Sequence, residues 1–398
     1  MQYLAILGRQ PKISLAELES LFDKVIYLGG NLAKFESKKT PELSRLGGTI
    51  KLAKPISGGP EKFLLDCGFD GKYVIGVSDY SKDSSARKSQ MLALKIKRVL
   101  KKAGHTVRVL ENRSAGLSTA TVFHSQLGEK PGHLELIKVS KEWFVGISVQ
   151  NINAYRDRDQ NRPARDAKNG MLPPKLAQIL INLCGVLPEG ATILDPFCGT
   201  GVVLQEAILM GYRGYGTDAS ERIVEYAKKN LEWLTESLNT SSRELASSRP
   251  VVTGAPRLDA PVVARGSLEE CFKLSVADAQ SFTWEQPIDA VAFEGYLGPP
   301  MSQAPGEIKL KTVMTEVLPL YRNTLKNLSS QLKSGTPVVM ALPAWLRPDG
   351  SYQRLNILDE VGNLGYNVTK YTTSSQEDLL YYRDGQIVAR EIIVLRKK

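Results

Sequence analysis

The residues best equipped for chemistry run from Asp195 to Gly201, and Asp218 follows 17 residues after Gly201. Ile193 and Leu194 suit a buried strand, which Asp195 and Pro196 end because proline cannot donate to a ladder. Gly199 and Gly201 permit a turn that other residues resist and let a ligand approach the backbone. A helix from Val202 to Met210 and a strand closing on Asp218 complete a nucleoside-binding plan. In that plan a carboxylate at the end of the second strand takes the ribose hydroxyls. The third position of a Gly-x-Gly-x-x-Gly fingerprint is Leu204, so the dinucleotide motif is incomplete, and no Gly-Lys-Ser/Thr of a P-loop follows. A loop that opens on a carboxylate and lacks a nearby Lys or Arg suits a ligand without phosphates and with a positive centre. S-adenosylmethionine, carrying an ammonium and a sulfonium, has that character. Asp278 ends a third strand and is placed to receive the adenine amino group; the plainer alternative is an ordinary strand-end aspartate.

These groups need a scaffold, and composition bounds it. At 398 residues with 42% hydrophobic content, two or three domains with sizeable cores are expected. The net charge of +10 is unevenly placed. Residues 1–170 hold 29 Lys and Arg against 17 Asp and Glu, whereas the remainder holds 23 against 25. The N-terminal part is therefore expected to meet a polyanion, the alternative being a merely solvated basic surface. The four cysteines form no Cys-x-x-Cys pair and the three histidines no ligand pair. No zinc site or disulfide framework is expected, which points to a reducing cytoplasm. No apolar run approaches the ~20 residues of a membrane span.

In chain order, residues 1–8 read as a strand. Ser14 and Glu17 have the spacing of a capping box, predicting a helix from Leu15 to about Phe22. A basic helix is predicted over 85–103, with an apolar stripe of Met91, Leu94, Ile96, Val99 and Leu100. Its other positions carry Arg87, Lys88, Lys95, Lys97, Arg98, Lys101 and Lys102, which suit phosphate contacts on RNA or an inert solvated face. Leu134 to Val149 reads as a hairpin. Residues 151–171 are polar and read as a linker, with Arg162 and Arg165 able to contact phosphate or order the junction. Pro174 falls in the first turn of the next helix. Beyond Asp218, a helix from Arg222 to Thr235 leads into a Ser-rich and Pro-rich stretch at 236–266 that reads as a long loop. A fourth strand ends at Glu294, Gly295, Tyr296 and Leu297. A long helix over 309–332, a strand at 336–342 and a terminal hairpin complete the chain.

The pattern from Leu172 to Lys398 resembles a class I S-adenosylmethionine-dependent methyltransferase. More narrowly, the chain resembles the THUMP-domain tRNA guanosine N2-methyltransferases of the guanosine-10 type. The resemblance rests on the opening Tyr3–Leu18, the module at 70–150, the junction through Arg162, Pro163, Ala164, Arg165 and Asp166 into Gly170–Ala177, and the loop Asp195–Gly201. It implies an α/β Rossmann-like methyltransferase domain at 172–398, doubly wound and mostly parallel with a C-terminal antiparallel hairpin. An α+β ferredoxin-like subdomain at 1–68 and a THUMP-like RNA-binding module at 69–150 would precede it. The implied cofactor is S-adenosylmethionine, held by Asp195, Pro196, Phe197, Cys198, Gly199, Gly201, Asp218, Ala219, Asp278, Ala279 and Pro174. The implied partner is tRNA, engaged by a cytoplasmic monomer without metal or membrane. The family's fourth-strand motif is Asp-Pro-Pro-Tyr, where this chain has Glu294, Gly295, Tyr296 and Leu297. Glu294 keeps an acceptor for an exocyclic amine, one methylene longer, and Tyr296 keeps an aromatic ring to stack on an extruded base. Other readings are methylation of ribosomal RNA or of a DNA amine, or an RNA-binding protein with a vestigial cofactor site.

Overall fold

The computed structural model describes residues 1–166, 171–247 and 271–398, with the backbone alone for 239–247. The described residues from Met1 to Arg156 form one compact unit and those from Asp157 to Lys398 another.

In the first unit, eight strands form one sheet. They are β1 (Gln2–Leu7), β2 (Asp23–Gly29), β3 (Leu32–Glu36), β4 (Thr49–Ile56), β5 (Tyr73–Asp79), β6 (Val107–Val109), β7 (His133–Val139) and β8 (Glu142–Val149), in the order β2-β3-β1-β4-β8-β7-β5-β6. The antiparallel pairing of β4 with β8 makes one continuous sheet of residues 1–68 and the module after them. The first helix, α1 (Pro11–Leu21), begins earlier than the Ser14 capping box predicts. Proline is pre-shaped for the first helical turn and needs no N–H there. Ser14 consequently sits inside the helix and donates to the Gln10 carbonyl, while Glu17 is buried and accepts from the amides of Gly47 and Gly48 at 2.8 Å each.

Two further helices follow, α2 (Gly59–Asp66) and the basic α3 (Ala86–Lys102), whose N-cap Ser85 accepts from the Lys88 amide. The buried stripe of α3 is Ser89, Ala93, Ile96 and Leu100, so the expected stripe is corrected: Met91 and Leu94 face outward, 62% and 39% exposed. Small residues at 89 and 93 allow close approach to the sheet, where Ala93, Ile96 and Leu100 pack in one cluster with Tyr73 and Ile75. Arg87, Lys88, Lys95, Arg98, Lys101 and Lys102 are exposed and Lys97 half-buried.

The same unit holds an ion pair that solvent does not reach. Lys51 on β4 donates to Glu135 on β7 at 2.6 Å and to the Leu117 carbonyl at 2.7 Å; Ser78 on β5 also donates to Glu135. Both charged side chains are 2% exposed.

The second unit is built on β9 (Thr192–Asp195), β10 (Arg213–Asp218), β11 (Phe272–Val276), β12 (Ala290–Glu294), β13 (Pro337–Leu346), β14 (Tyr352–Arg354), β15 (Tyr366–Val368), β16 (Leu380–Tyr381) and β17 (Val388–Lys397). The sheet runs β11-β10-β9-β12-β13-β17-β15. The first five strands of that order are parallel, and β17 is antiparallel to both β13 and β15. The Rossmann-like sheet expected from the sequence is therefore present, with its antiparallel C-terminal edge. Helix α4 (Thr119–His124) belongs to the first unit; α5 (Ile152–Gln160) occupies much of the stretch read as a linker. Its Arg158 is held by the buried Glu206, which gives a polar sequence a reason to be ordered. The remaining helices used below are α6 (Pro174–Leu183), α7 (Val202–Leu209), α8 (Glu221–Ser247) and α9 (Glu307–Gln331). Helix α8 extends twelve residues past Thr235, into the stretch read as a loop; that reading beyond 247 lies outside the described residues until 271. Among the described residues no helix is long and apolar enough to cross a membrane.

Replacing Lys51 by Met strands the Glu135 carboxylate in the core and is expected to lower stability by about 3–5 kcal/mol. Adding Glu135→Leu should recover most of that loss. Denaturant unfolding of the full chain checks both; equal losses in the single and double variants would contradict the account.

Candidate active site

Strand order supplies the location. The chain winds outward from β9 through β10 and β11 on one side and through β12 and β13 on the other, so β9 and β12 flank the point where the order reverses. Ligands of open α/β sheets bind beyond the carboxyl ends of the strands at such a point. A cavity of about 500 Å³ lies there, lined among others by Asp195, Asp218, Asp278 and Glu294.

The turn after β9 is shaped by its glycines. Gly199 and Gly201 have φ of +52° and +84°, a region that disfavours side chains. A Cβ at 199 would meet only the Phe197 carbonyl at 3.9 Å, so the backbone there opens on free space. A Cβ at 201 would press on Ala227 of α8 at 3.3 Å. The close helix-to-strand approach that a third loop glycine usually permits is provided from the strand side. At Gly216 on β10 a Cβ would meet Cys198 at 2.9 Å and Leu204 at 2.5 Å.

The acidic groups are held in different ways. Asp218 accepts from the Gly199 amide through Oδ2 and from the Ser220 amide through Oδ1. Asp278 is exposed and accepts from the Gln280 amide. Asp195 is 2% exposed and accepts from the Phe197 amide at 3.0 Å. Burial pushes its carboxyl well above the usual range, with the nearby Asp218 and Glu294 adding to the rise and the Phe197 amide opposing it. Burial likewise raises the Cys198 thiol well above its ordinary value, so it is no ready nucleophile.

The stretch after β12 departs most from the expected motif, and its surroundings explain the departure. A Cβ at Gly295 would overlap the ring of Tyr321 on α9. The Tyr321 hydroxyl donates to the Tyr296 carbonyl at 2.8 Å, and its ring is fully buried. Phe197 packs against Phe293 and Tyr321, with ring centroids 5.4 and 6.3 Å apart. Tyr296 itself is 49% exposed at the cavity wall. Glu294 accepts from Arg390 Nε on β17 at 2.6 Å.

Of the sequence-predicted residues, Asp195, Pro196, Phe197, Cys198, Gly199, Asp218, Ala219, Asp278, Ala279, Glu294, Gly295, Tyr296 and Leu297 line this one cavity. Two do not. Gly201 caps α7 and shapes the turn from outside the wall, and Pro174 begins α6, its ring occupied by helix initiation. Arg162 also differs from expectation. It is 3% exposed, its Nη2 meets the Met171 sulfur, and burial lowers its pKa, so its guanidinium is not presented to a phosphate. Arg165 is exposed. Sequence reasoning missed Arg222, Gln280 and Leu320 on the wall and the supporting Tyr321 and Arg390. Arg390 did leave a signal: Arg390 and Glu391 interrupt the apolar run from Val388 to Leu395, and adjacent strand residues face opposite sides. No group of three or more His, Cys, Asp or Glu suited to a metal occurs among the described residues.

The chain is similar to known proteins over part of its length. Residues 162–292 match the model of the UPF0020 family, described as an RMKL-like methyltransferase domain. The chain is similar to the tRNA (guanine(10)-N2)-dimethyltransferase of Pyrococcus abyssi, 33% identical over 34% of this chain and 41% of that protein. It is similar also to the protein of the same name from Methanothermobacter thermautotrophicus, 30% identical over 44% of this chain and 40% of that one. The matched stretch thus spans about two fifths of these relatives. Among solved structures, TrmN from Thermus thermophilus aligns over 100% of both chains, with 16% identity and a TM-score of 0.46. The methyltransferase resemblance read from the sequence is borne out by the family match and by these relatives.

Two outcomes follow from the site's electrostatics and packing. Because the folded state holds the Asp195 proton more tightly than the unfolded chain, this group's contribution to stability falls as pH rises above about 4. Asp195→Asn, which keeps an acceptor for Phe197, should raise the apparent Tm relative to wild type at pH 7 and leave it level near pH 3. A difference that does not vary with pH would contradict this. Gly295→Ala should cost about 1–3 kcal/mol through overpacking against Tyr321, read by denaturant unfolding.

Proposed function

We propose that this chain transfers a methyl group from S-adenosylmethionine to the exocyclic N2 of a guanosine in tRNA, guanosine 10 being the site that the names of its relatives specify. The observation that carries the reading is the convergence of Asp195, Asp218, Asp278 and Glu294 on one cavity at the strand-order reversal. The family match over 162–292 supports it.

The residues fit the cofactor. The backbone of Gly199 opens on space that a side chain would fill, and no Lys or Arg at the loop calls for a phosphate. Asp218, its carboxylate fixed by two backbone amides, takes the ribose hydroxyls. Asp278 takes the adenine amino group, with Ala219, Ile223 and Ala279 as apolar neighbours in the wall. Asp195 faces the amino-acid end. When bound there, S-adenosylmethionine would supply an electrophilic methyl group on a positive sulfur, the neutral thioether S-adenosylhomocysteine being the leaving group.

The substrate side belongs to the stretch after β12. A guanine amine has its lone pair drawn into the ring, so it must be aligned and its protons accepted. Glu294 accepts them, and Tyr296 offers an exposed ring on which an extruded base stacks. Affinity for tRNA comes from the module at 69–150, read as THUMP-like, where six exposed cations on α3 track the phosphate backbone.

Incubation with labelled cofactor and undermodified tRNA should place label on guanine N2. Label on an adenine or cytosine amine, or in DNA alone, would overturn the guanine assignment. In a direct cofactor titration, Asp218→Ala should lose roughly tenfold or more in affinity through the lost charge-assisted hydrogen bonds; unchanged affinity would remove Asp218 from the site.

A further inference from the structure

Glu294 and Arg390 belong to strands that do not touch. β13 lies between β12 and β17, yet Arg390 reaches across it and donates Nε to Glu294 Oε1 at 2.6 Å. The two side chains are only 13% and 6% exposed. Among the described residues Glu294 Oε2 has no hydrogen-bond partner, and Glu294 lines the cavity. One oxygen is thereby tethered from behind, and the other is left for whatever enters.

A carboxylate paired with a guanidinium is an acceptor and nothing else, whereas an amide in its place both donates and accepts. The bases that carry an exocyclic amine differ in the atom beside it. Guanine sets N1–H next to its amine, two adjacent donors. Adenine and cytosine set a bare ring nitrogen there, an acceptor. An acceptor-only group satisfies the first pattern, taking the amine on Oε2 and N1–H on the remaining lone pair of Oε1. Against the second it leaves two acceptors facing each other in a site with little water, which is costly.

We infer that Glu294, held as an acceptor-only carboxylate by Arg390, selects a base edge with two adjacent donors, and that Arg390 is its positioning residue. The inference rests on the methyl-transfer reading above and adds the group that chooses the base. Tyr321 serves the same end from the other side. Its ring leaves room only for glycine at 295, and its hydroxyl holds the Tyr296 carbonyl, so the backbone just after Glu294 is pinned.

The test compares tRNA carrying guanine or 2-aminopurine at the methylated position. 2-Aminopurine keeps the amine but has a bare N1. Wild type should favour guanine by roughly tenfold or more in kcat/KM, the size of a good paired contact. Glu294→Gln, whose amide can donate to the bare N1, should shrink that preference at least about fivefold. Arg390→Gln should lower kcat on guanine by about tenfold while leaving cofactor Kd and tRNA KM within about twofold, and should cost little in the Glu294→Gln background. Equal use of the two bases by wild type would overturn the inference. So would an unchanged preference in Glu294→Gln, or an equal loss from Arg390→Gln in both backgrounds. Transfer by wild type to neither base would instead overturn the methyl-transfer reading on which it rests.

Discussion

The crowding of carboxylates at one point of the second unit is the constraint around which its structure is arranged. Asp195, Asp218 and Glu294 line one cavity, and burial, with Asp218 and Glu294 nearby, raises the cost of ionising Asp195. Each is accommodated differently. Asp218 receives two backbone amides from the turns beside it. Glu294 receives a guanidinium from a strand two places away. Asp195 is buried with one amide, and burial favours its neutral form. Asp195, Asp218, Asp278 and Glu294 on one wall, with no Lys or Arg in the loop from Asp195 to Gly201, suit a ligand with a positive centre.

The geometry that gathers these groups follows from chain order. Parallel strands end on the same side, and reversing the direction of winding at β9 and β12 leaves a gap between their connections. Glycines then decide how closely the pieces approach. Gly216 admits Leu204 and Cys198 from the strand side, and Gly295 admits Tyr321. The change from Asp-Pro-Pro-Tyr to Glu294, Gly295 and Tyr296 is thus a matched set. A longer acceptor is tethered by Arg390, and a buried ring takes the space that a side chain at 295 would need.

Much of this was legible in the sequence, and what was not has physical causes. Asp195, Asp218, Asp278 and Glu294 are readable because each stands at the end of an expected strand, a local signal. The Rossmann-like sheet was readable from alternating strands and helices over 172–398. Arg390 and Tyr321 lie 96 and 27 residues from Glu294, and their roles come from tertiary packing that no local pattern encodes. The Ser14 capping box failed because Pro11 initiates the helix earlier. The α3 stripe was misread because Met91 and Leu94 are apolar yet face outward, while small Ser89 and Ala93 face in. The polar stretch after residue 150 read as a linker because the partner of Arg158, Glu206, comes from α7.

We propose that this chain places methyl groups on guanine N2 in tRNA. Nucleoside mass analysis of tRNA from cells lacking this protein tests it most directly. The account predicts that N2-methylated guanosine falls and returns when the wild-type chain is restored. An N2-methylguanosine content that is the same with and without the protein would contradict it.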